Sequence, residues 1–417
     1  MNLFGWDTAY AISISNINAA LANNNGTIPQ QFNYNQSGVA MQGTFSPWRI
    51  VKGGSGKLLR MEFPVQSGSF SMSGQSTPLD GVTLVAEVNL DMIPSGTSQK
   101  NLMFNLKAVA QNGVTGPGLV TPVNLLDPNG HLNPTQHGLA YALFPQYLVD
   151  NASQITFVFA NVNFVPPAVD SWLAPVQCDY AYLEKNDGSS FLGILSVTSN
   201  RDISGLDRNI DPAIVSGNNN AGILISKQLF LRNVLFPLLP AAFRNGTTSR
   251  NFSINANGDI VNNGSFPTDS VKKGAITYQP QVDGLLMTCS ANYLLTSISG
   301  SCDLGLNMSM TFSIVSKNVL NFNPANSKLS FAPDPNPYQT HDSHIPWYDY
   351  LFGAIPAIII AIVVPEIADG IADDLNNGSS SINLAQAPPM NIGWPGMRPI
   401  TIDTAGLSDN FFMQGNV

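Results

Sequence analysis

The chain has 417 residues, of which only 11% are charged, and its formal net charge is −9. That balance, without a stripe of Lys and Arg, argues against a nucleic-acid backbone as partner, because displacing phosphate counterions takes clustered cations. The length admits more than one ordinary domain, and polarity carried by Asn, Ser, Thr and Gln gives a neutral, hydrogen-bonding surface.

Residues Met1 to Asp7 lack the cationic region and apolar run of a secretory signal, so signal-dependent export is not expected. A cytoplasmic protein, or one released by another route, is the expectation. Trp6, Tyr10, Ile14, Ile17 and Leu21 recur at helical spacing until Asn23, which predicts a first amphipathic helix. From Leu59 the period becomes two. Leu59 to Val65, Val82 to Met92 and Leu102 to Ala108 each alternate apolar with polar residues, and read as long antiparallel strands with one wet face.

Asn133-Pro134-Thr135-Gln136 combines a cap, a first-turn proline and a reciprocal Gln, which predicts a helix from Pro134 to about Val149, kinked or shortened at Pro145. Between Ile155 and Phe164 the apolar positions shift from odd to even, as a bulge near Ala160 would require. Ser226 caps a third helix that Pro237 and Pro240 disturb. Asn245 to Gly264 reads as a hairpin or loop, and Leu304 to Phe312 as a single, cleanly alternating strand. The longest uncharged apolar run, Tyr350 to Pro365, falls short of the ~30 Å that a membrane helix must cross. It is read with the stripe Ile359, Val363, Ile367, Ile371 and Leu375 as a helix over 346–376, packed inside the strands. The chain is taken as one domain over 1–417, any division into two lobes falling near 200–225.

No stretch has the pattern of a catalytic motif. Lys52 to Leu58 has its glycines misplaced for a phosphate loop and Leu58 where Ser or Thr should hold a metal, so it reads as a turn. Ser55 fails as a nucleophile elbow because Lys57 stands where the second Gly belongs. His341-Asp342-Ser343-His344 is a partial ligand set in a Pro-rich region and reads as a solvated loop. His131 and His137 flank a helix start, and Asp202, Asp207 and Asp211 alternate with Arg201 and Arg208 as local pairs or turn caps. Cys178, Cys289 and Cys302 form no C-x-x-C pair and are expected as thiols, with one disulfide between Cys289 and Cys302 as the alternative. The expectation is therefore no enzyme, no cofactor and no metal.

Phe4-Gly5-Trp6-Asp7, Trp48-Arg49-Ile50-Val51 followed by Gly53-Gly54 and Lys57-Leu58-Leu59, Ser204-Gly205-Leu206 with Asp211-Pro212, and Leu407-Ser408-Asp409-Asn410-Phe411 occur in the order of a known family. In these landmarks the chain resembles the 47-kilodalton accessory proteins that clostridia encode in OrfX-type clusters beside botulinum neurotoxins. The resemblance implies an α+β fold of the tubular lipid-binding (TULIP) kind, an elongated, strongly curved antiparallel sheet around long amphipathic helices. It also implies a non-enzymatic accessory role in virulence, with lipids or companion cluster proteins as partners. In an underfilled roll of that kind, Tyr10, Ile14, Ile17, Ile359 and Val363 would line an apolar groove, each buried CH₂ of an acyl chain contributing about 0.8 kcal/mol. The rival reading of the same composition is a structural or assembly protein of capsid or appendage type.

Overall fold

The computed structural model describes residues 1–23, 26–164, 172–243, 245–273, 275–305, 308–325, 328–332, 334–344 and 391–417. They fall into two compact units. One comprises Phe4–Gly222 with residues 391–400 and Val417, the other Met1–Leu3 with residues 223–344 and 401–416. The helix expected over 346–376, with Ile359 and Val363, lies outside the described residues.

The first unit opens with β1 (Thr8–Ser13), every residue of which is buried, followed by α1 (Ile14–Ala22). The spacing of Trp6, Tyr10 and Ile14 predicted helix from the start, and this is a correction. Ser13 is extended, at φ −65° and ψ 141°, and its hydroxyl accepts from the Asn16 N–H, so the helix begins only after it. A strand buried on both faces has no alternation to show, and its apolar residues mimicked a helical stripe. β12 (Gln177–Glu184) and β13 (Ser190–Val197) extend this sheet in the order β12-β13-β1, antiparallel throughout.

The larger sheet of this unit runs β2 (Gln31–Gln36), β3 (Val39–Phe45), β5 (Leu58–Met72), β7 (Thr83–Pro94), β8 (Gln99–Asn105), β11 (Val158–Asn163) and then the short strand Ile392–Gly393. β4 (Arg49–Ser55) and β6 (Gln75–Pro78) pair with β5, and β10 (Leu119–Leu126) pairs with β7. The third alternating run stops at Asn105, and Ala108–Val109, β9, pairs parallel with Leu119–Val120. The wet face expected along β7 is also corrected, since Glu87 and Asn89 are both buried. Arg60 forks onto Glu87 at 2.6 and 3.2 Å, and the Asn89 Nδ2 donates to the Lys57 carbonyl at 2.9 Å, so both buried side chains are held by polar partners. The expected bulge is present: Val158 pairs with Met103 but Ala160 with Leu102, leaving Phe159 as the extra residue.

The helix α2 (Pro134–Asp150) carries the full capping box of Asn133 and Gln136 and runs on through Pro145. It presents Phe144 and Tyr147 to the β2–β3 hairpin, with ring centroids 5.6 Å from Phe32 and 5.9 Å from Phe45. Edge-on contacts continue from Phe45 to Trp48 at 5.6 Å and from Trp48 to Phe63 at 4.8 Å, which makes one aromatic core.

In the second unit Ser226 caps a helix as expected, but the regular α-helix covers only Lys227–Phe230. It passes into a π-turn over Leu231–Leu235 and a 3₁₀ turn over Phe236–Leu238 before Leu239–Phe243, the change coming where Pro237 removes a backbone donor. The hairpin expected within Asn245 to Gly264 is formed by Phe252–Ile254 and Ile260–Asn262. A meander of Gln281–Ser290, Tyr293–Gly305 and Met308–Asn323 forms the sheet, extended by Lys328–Ala332 and Tyr338–His344.

The expected strand Leu304 to Phe312 is therefore two strands. Cys302 pairs with Met310 and Gly305 with Met308, so Leu304 is an extra, bulged residue. That bulge keeps even-numbered residues inward on both sides of the turn and hid the reversal from the periodicity. The rings of Phe243, Phe252 and Phe266 meet at 5.2 to 5.6 Å, and Phe230 stacks on Phe411 at 4.8 Å.

Candidate functional site

Two faces of α1 matter. Ile14, Ile17 and Leu21 point into the first unit and are buried. Tyr10, expected on the same helix, comes from β1 instead, and its ring lies 6.2 Å from that of Trp394. Burial pushes the Tyr10 phenol well above its ordinary range. The Trp394 indole Nε1 is itself buried and has no hydrogen-bond partner among the described residues. Sequence reasoning had no means of pairing Tyr10 with Trp394, which arrives from a late segment of the chain.

The opposite face of α1, with Asn16, Ala19, Ala20 and Asn23, forms one wall of a cleft of about 930 Å³. Gln99 and Asn101 of β8, Val158 and Asn161 of β11 and the segment Pro395 to Arg398 form much of the rest. Tyr10, Ile14 and Ile17 are not among its lining residues. Asn161 stands directly opposite Asn101 in the antiparallel register. The bulge at Phe159 sets this pair, since an unbroken register would place Ala160 there. Both Asn101 Oδ1 and Asn161 Oδ1 are buried without a hydrogen-bond partner among the described residues. The Asn89 Oδ1, which does not line the cleft, is in the same state. Among the described residues Arg398 is the one charged side chain lining it. Sequence reasoning missed the cleft because its amides come from separate elements in a chain where Asn is common; the parity shift near Ala160 was the only trace of it.

The residues weighed for chemistry have structural places. Ser55 pairs with Leu58 across a tight turn in which Gly56 has φ +57°, so the segment resembling a phosphate loop is a hairpin end. His341 to His344 belongs to a strand paired with Met308–Asn323, which corrects the expected loop. His137 Nε2 lies 2.9 Å from the Leu125 carbonyl oxygen. Arg201 pairs with Asp7 and Arg208 with Asp179, rather than with the neighbouring aspartates, while Asp202 and Asp211 accept from backbone N–H groups two residues on. Cys178, Cys289 and Cys302 are free thiols, and burial pushes those of Cys178 and Cys289 up to about 12. Among the described residues no group of three or more His, Cys, Asp or Glu could hold a metal ion, and no helix is long and apolar enough to cross a membrane.

Sheets, bulges and an amide-lined cleft define a mostly β, antiparallel protein with few short helices. The chain belongs to the OrfX-like family, whose profile, Protein OrfX2/OrfX3/P47, matches residues 3–374. It is 28% identical to Protein P47 of Clostridium botulinum (strain Kyoto / Type A2) over the whole of both chains. It is 25% identical to Protein OrfX3 of Paraclostridium bifermentans, over 72% of this chain and 69% of that one. The structure of P47 from Clostridium botulinum A2 superposes with a TM-score of 0.78 at 26% identity, covering 100% of this chain and 98% of that one. That of P47 of Clostridium botulinum E1 gives 0.74 at 26% identity and covers all of both chains.

Proposed function

We propose that this chain is a non-enzymatic binding protein that serves as an accessory factor of the toxin-cluster type, and that the interior of its first unit takes an apolar, acyl-chain ligand. The observation that carries the reading is the Trp394 Nε1–H, buried and without a partner among the described residues, beside the ring of Tyr10. An ester or carboxyl oxygen at the head of an acyl chain would satisfy that donor, while each buried CH₂ of the chain would contribute about 0.8 kcal/mol. Ile14 and Ile17 belong to the same apolar interior; Ile359 and Val363, proposed with them from the sequence, lie outside the described residues. The tubular lipid-binding resemblance read in the sequence points the same way, and membership of the OrfX-like family supports the accessory role.

Native mass spectrometry and solvent extraction of the purified full chain test the ligand. A co-purifying acyl lipid, lost on Trp394→Ala, is the expected result. Protein that remains lipid-free after incubation with a panel of headgroups would sink the ligand half of the reading.

A further inference from the structure

The outer edge of β2 carries an inference separate from the acyl-chain reading. The Phe45 N–H donates to the Gln30 carbonyl, one step before the pair Gln31–Thr44, so in the alternating antiparallel ladder the even-numbered residues of β2 bond to β3. The N–H and C=O groups of Gln31, Asn33 and Asn35 therefore point away from β3, in the plane of the sheet. The Gln31 carbonyl accepts from the Tyr147 phenol at 3.3 Å. Among the described residues nothing meets the outward backbone of Asn33 or Asn35, and β3 is the only strand beside β2.

Other edges of this sheet are guarded. β6 ends in Pro78, β4 carries Arg49 and Lys52, and the far end is closed by the two-residue strand Ile392–Gly393. β2 reads Gln31-Phe32-Asn33-Tyr34-Asn35-Gln36, with no proline, no charge and an unbroken register. The exposed side chains of Gln31, Asn33 and Asn35 share a face with Gln42, Thr44 and Ser67, none of them charged. Two copies of a chain of net charge −9 repel each other in general, and a charge-free edge is where they can meet. On the side that Tyr34 faces, Asp150 accepts from its phenol at 2.6 Å, and this exposed carboxylate is screened at ordinary ionic strength.

We propose that two copies of this chain pair through β2 across a twofold axis, the strands antiparallel and continuing one sheet. With Tyr34 on the axis, the outward groups of Asn33 bond to those of Asn35 of the second copy, and the reverse, so the open groups of one copy find their complement in the other. A foreign peptide would have to bring the same spacing of neutral side chains, which a second copy has by construction. Strand pairing of this length buries less than a permanent dimer needs, so the association is weak and concentration-dependent.

The test is sedimentation equilibrium of the full chain in about 0.15 M salt, at concentrations up to about 0.5 mM. A mean mass rising from one copy toward two is expected. Asn33→Lys, at an exposed position, brings a cation to the seam from each copy and is expected to weaken association roughly tenfold with no change in melting temperature. Mild oxidation of an equimolar mixture of Asn33→Cys and Asn35→Cys is expected to give a disulfide-linked dimer, since the paired Cα atoms would lie about 5.5 Å apart. Gln42→Cys, one strand further in on the same face, is expected to give none. The cysteine variants decide the matter where Asn33→Lys fails to fold. A mass of one copy throughout overturns the proposal, leaving the edge to a foreign strand or to water. A dimer that Asn33→Lys leaves undiminished, or that Gln42→Cys traps equally, overturns it as well, because the contact then lies elsewhere. None of these results touches the acyl-chain reading, which is scored by extracted lipid.

Discussion

The phenol of Tyr180 accepts a hydrogen bond from the Leu90 N–H and donates one to the Lys57 carbonyl, each at 2.7 Å. One side chain of β12 thus satisfies backbone groups of β7 and of the turn before β5, and Lys57 Nζ lies 5.0 Å from the same ring. Tyr180→Phe keeps the ring but takes the acceptor from the Leu90 N–H, while the Lys57 carbonyl retains the Asn89 amide. It should cost about 1–3 kcal/mol in chemical denaturation. A change below about 0.5 kcal/mol would mean that water replaces the hydroxyl at no cost.

The capping box of α2 supports a helix that lacks the Pro145 donor within its span. Asn133→Ala removes acceptors for the Thr135 and Gln136 N–H groups, and should lower stability by about 1 kcal/mol. Asn133→Ser should recover most of it, whereas equal losses in the two variants would argue against the cap as the cause.

How much of this was legible in the sequence depended on whether a signal was local. The capping box and the Phe159 bulge rest on neighbouring residues, and both were readable. The start of α1 turned on which of two overlapping patterns prevailed, and a single cap at Ser13 decided it. Glu87 looked solvent-facing because nothing nearby in sequence announces Arg60 as its partner. In the second unit the Leu304 bulge cancelled the parity change at a turn, so two errors in periodicity offset each other. The cleft was least legible, being assembled from α1, β8, β11 and the segment after Trp394.

Acid should weaken the second unit through Asp259. Burial raises its carboxyl, but hydrogen bonds from Lys227 and Thr288 and the Lys227 charge more than offset this, and the group titrates below the ordinary carboxylate value. A depressed native value means that the stabilisation is fully present above a pH of about 4 and is lost as the pH falls through the native value. In urea unfolding, wild type should exceed Asp259→Asn at pH 7, and the gap should narrow by pH 3. A gap independent of pH would show that the ion pair is not its source.

Gly300 is required by space. A Cβ there would strike the Phe312 ring and the Gln281 carbonyl oxygen, on the two strands flanking it. Gly300→Ala should cost about 3 kcal/mol or more, read as a lowered melting temperature or loss of soluble protein. Gly264→Ala, with open space around it but φ +76°, should cost less. The reverse ranking would mean that backbone strain outweighs the clash.

The pairing of Ile392–Gly393 with β11 bears on how the molecule is born. A ribosome releases β11 long before the residues that cap its outer edge, and in the interval a nascent chain carries an open row of backbone donors and acceptors. Such an edge is a template for mispairing between chains crowded on one message. Until Ile392–Gly393 has been made, the growing chain carries that edge uncovered by them.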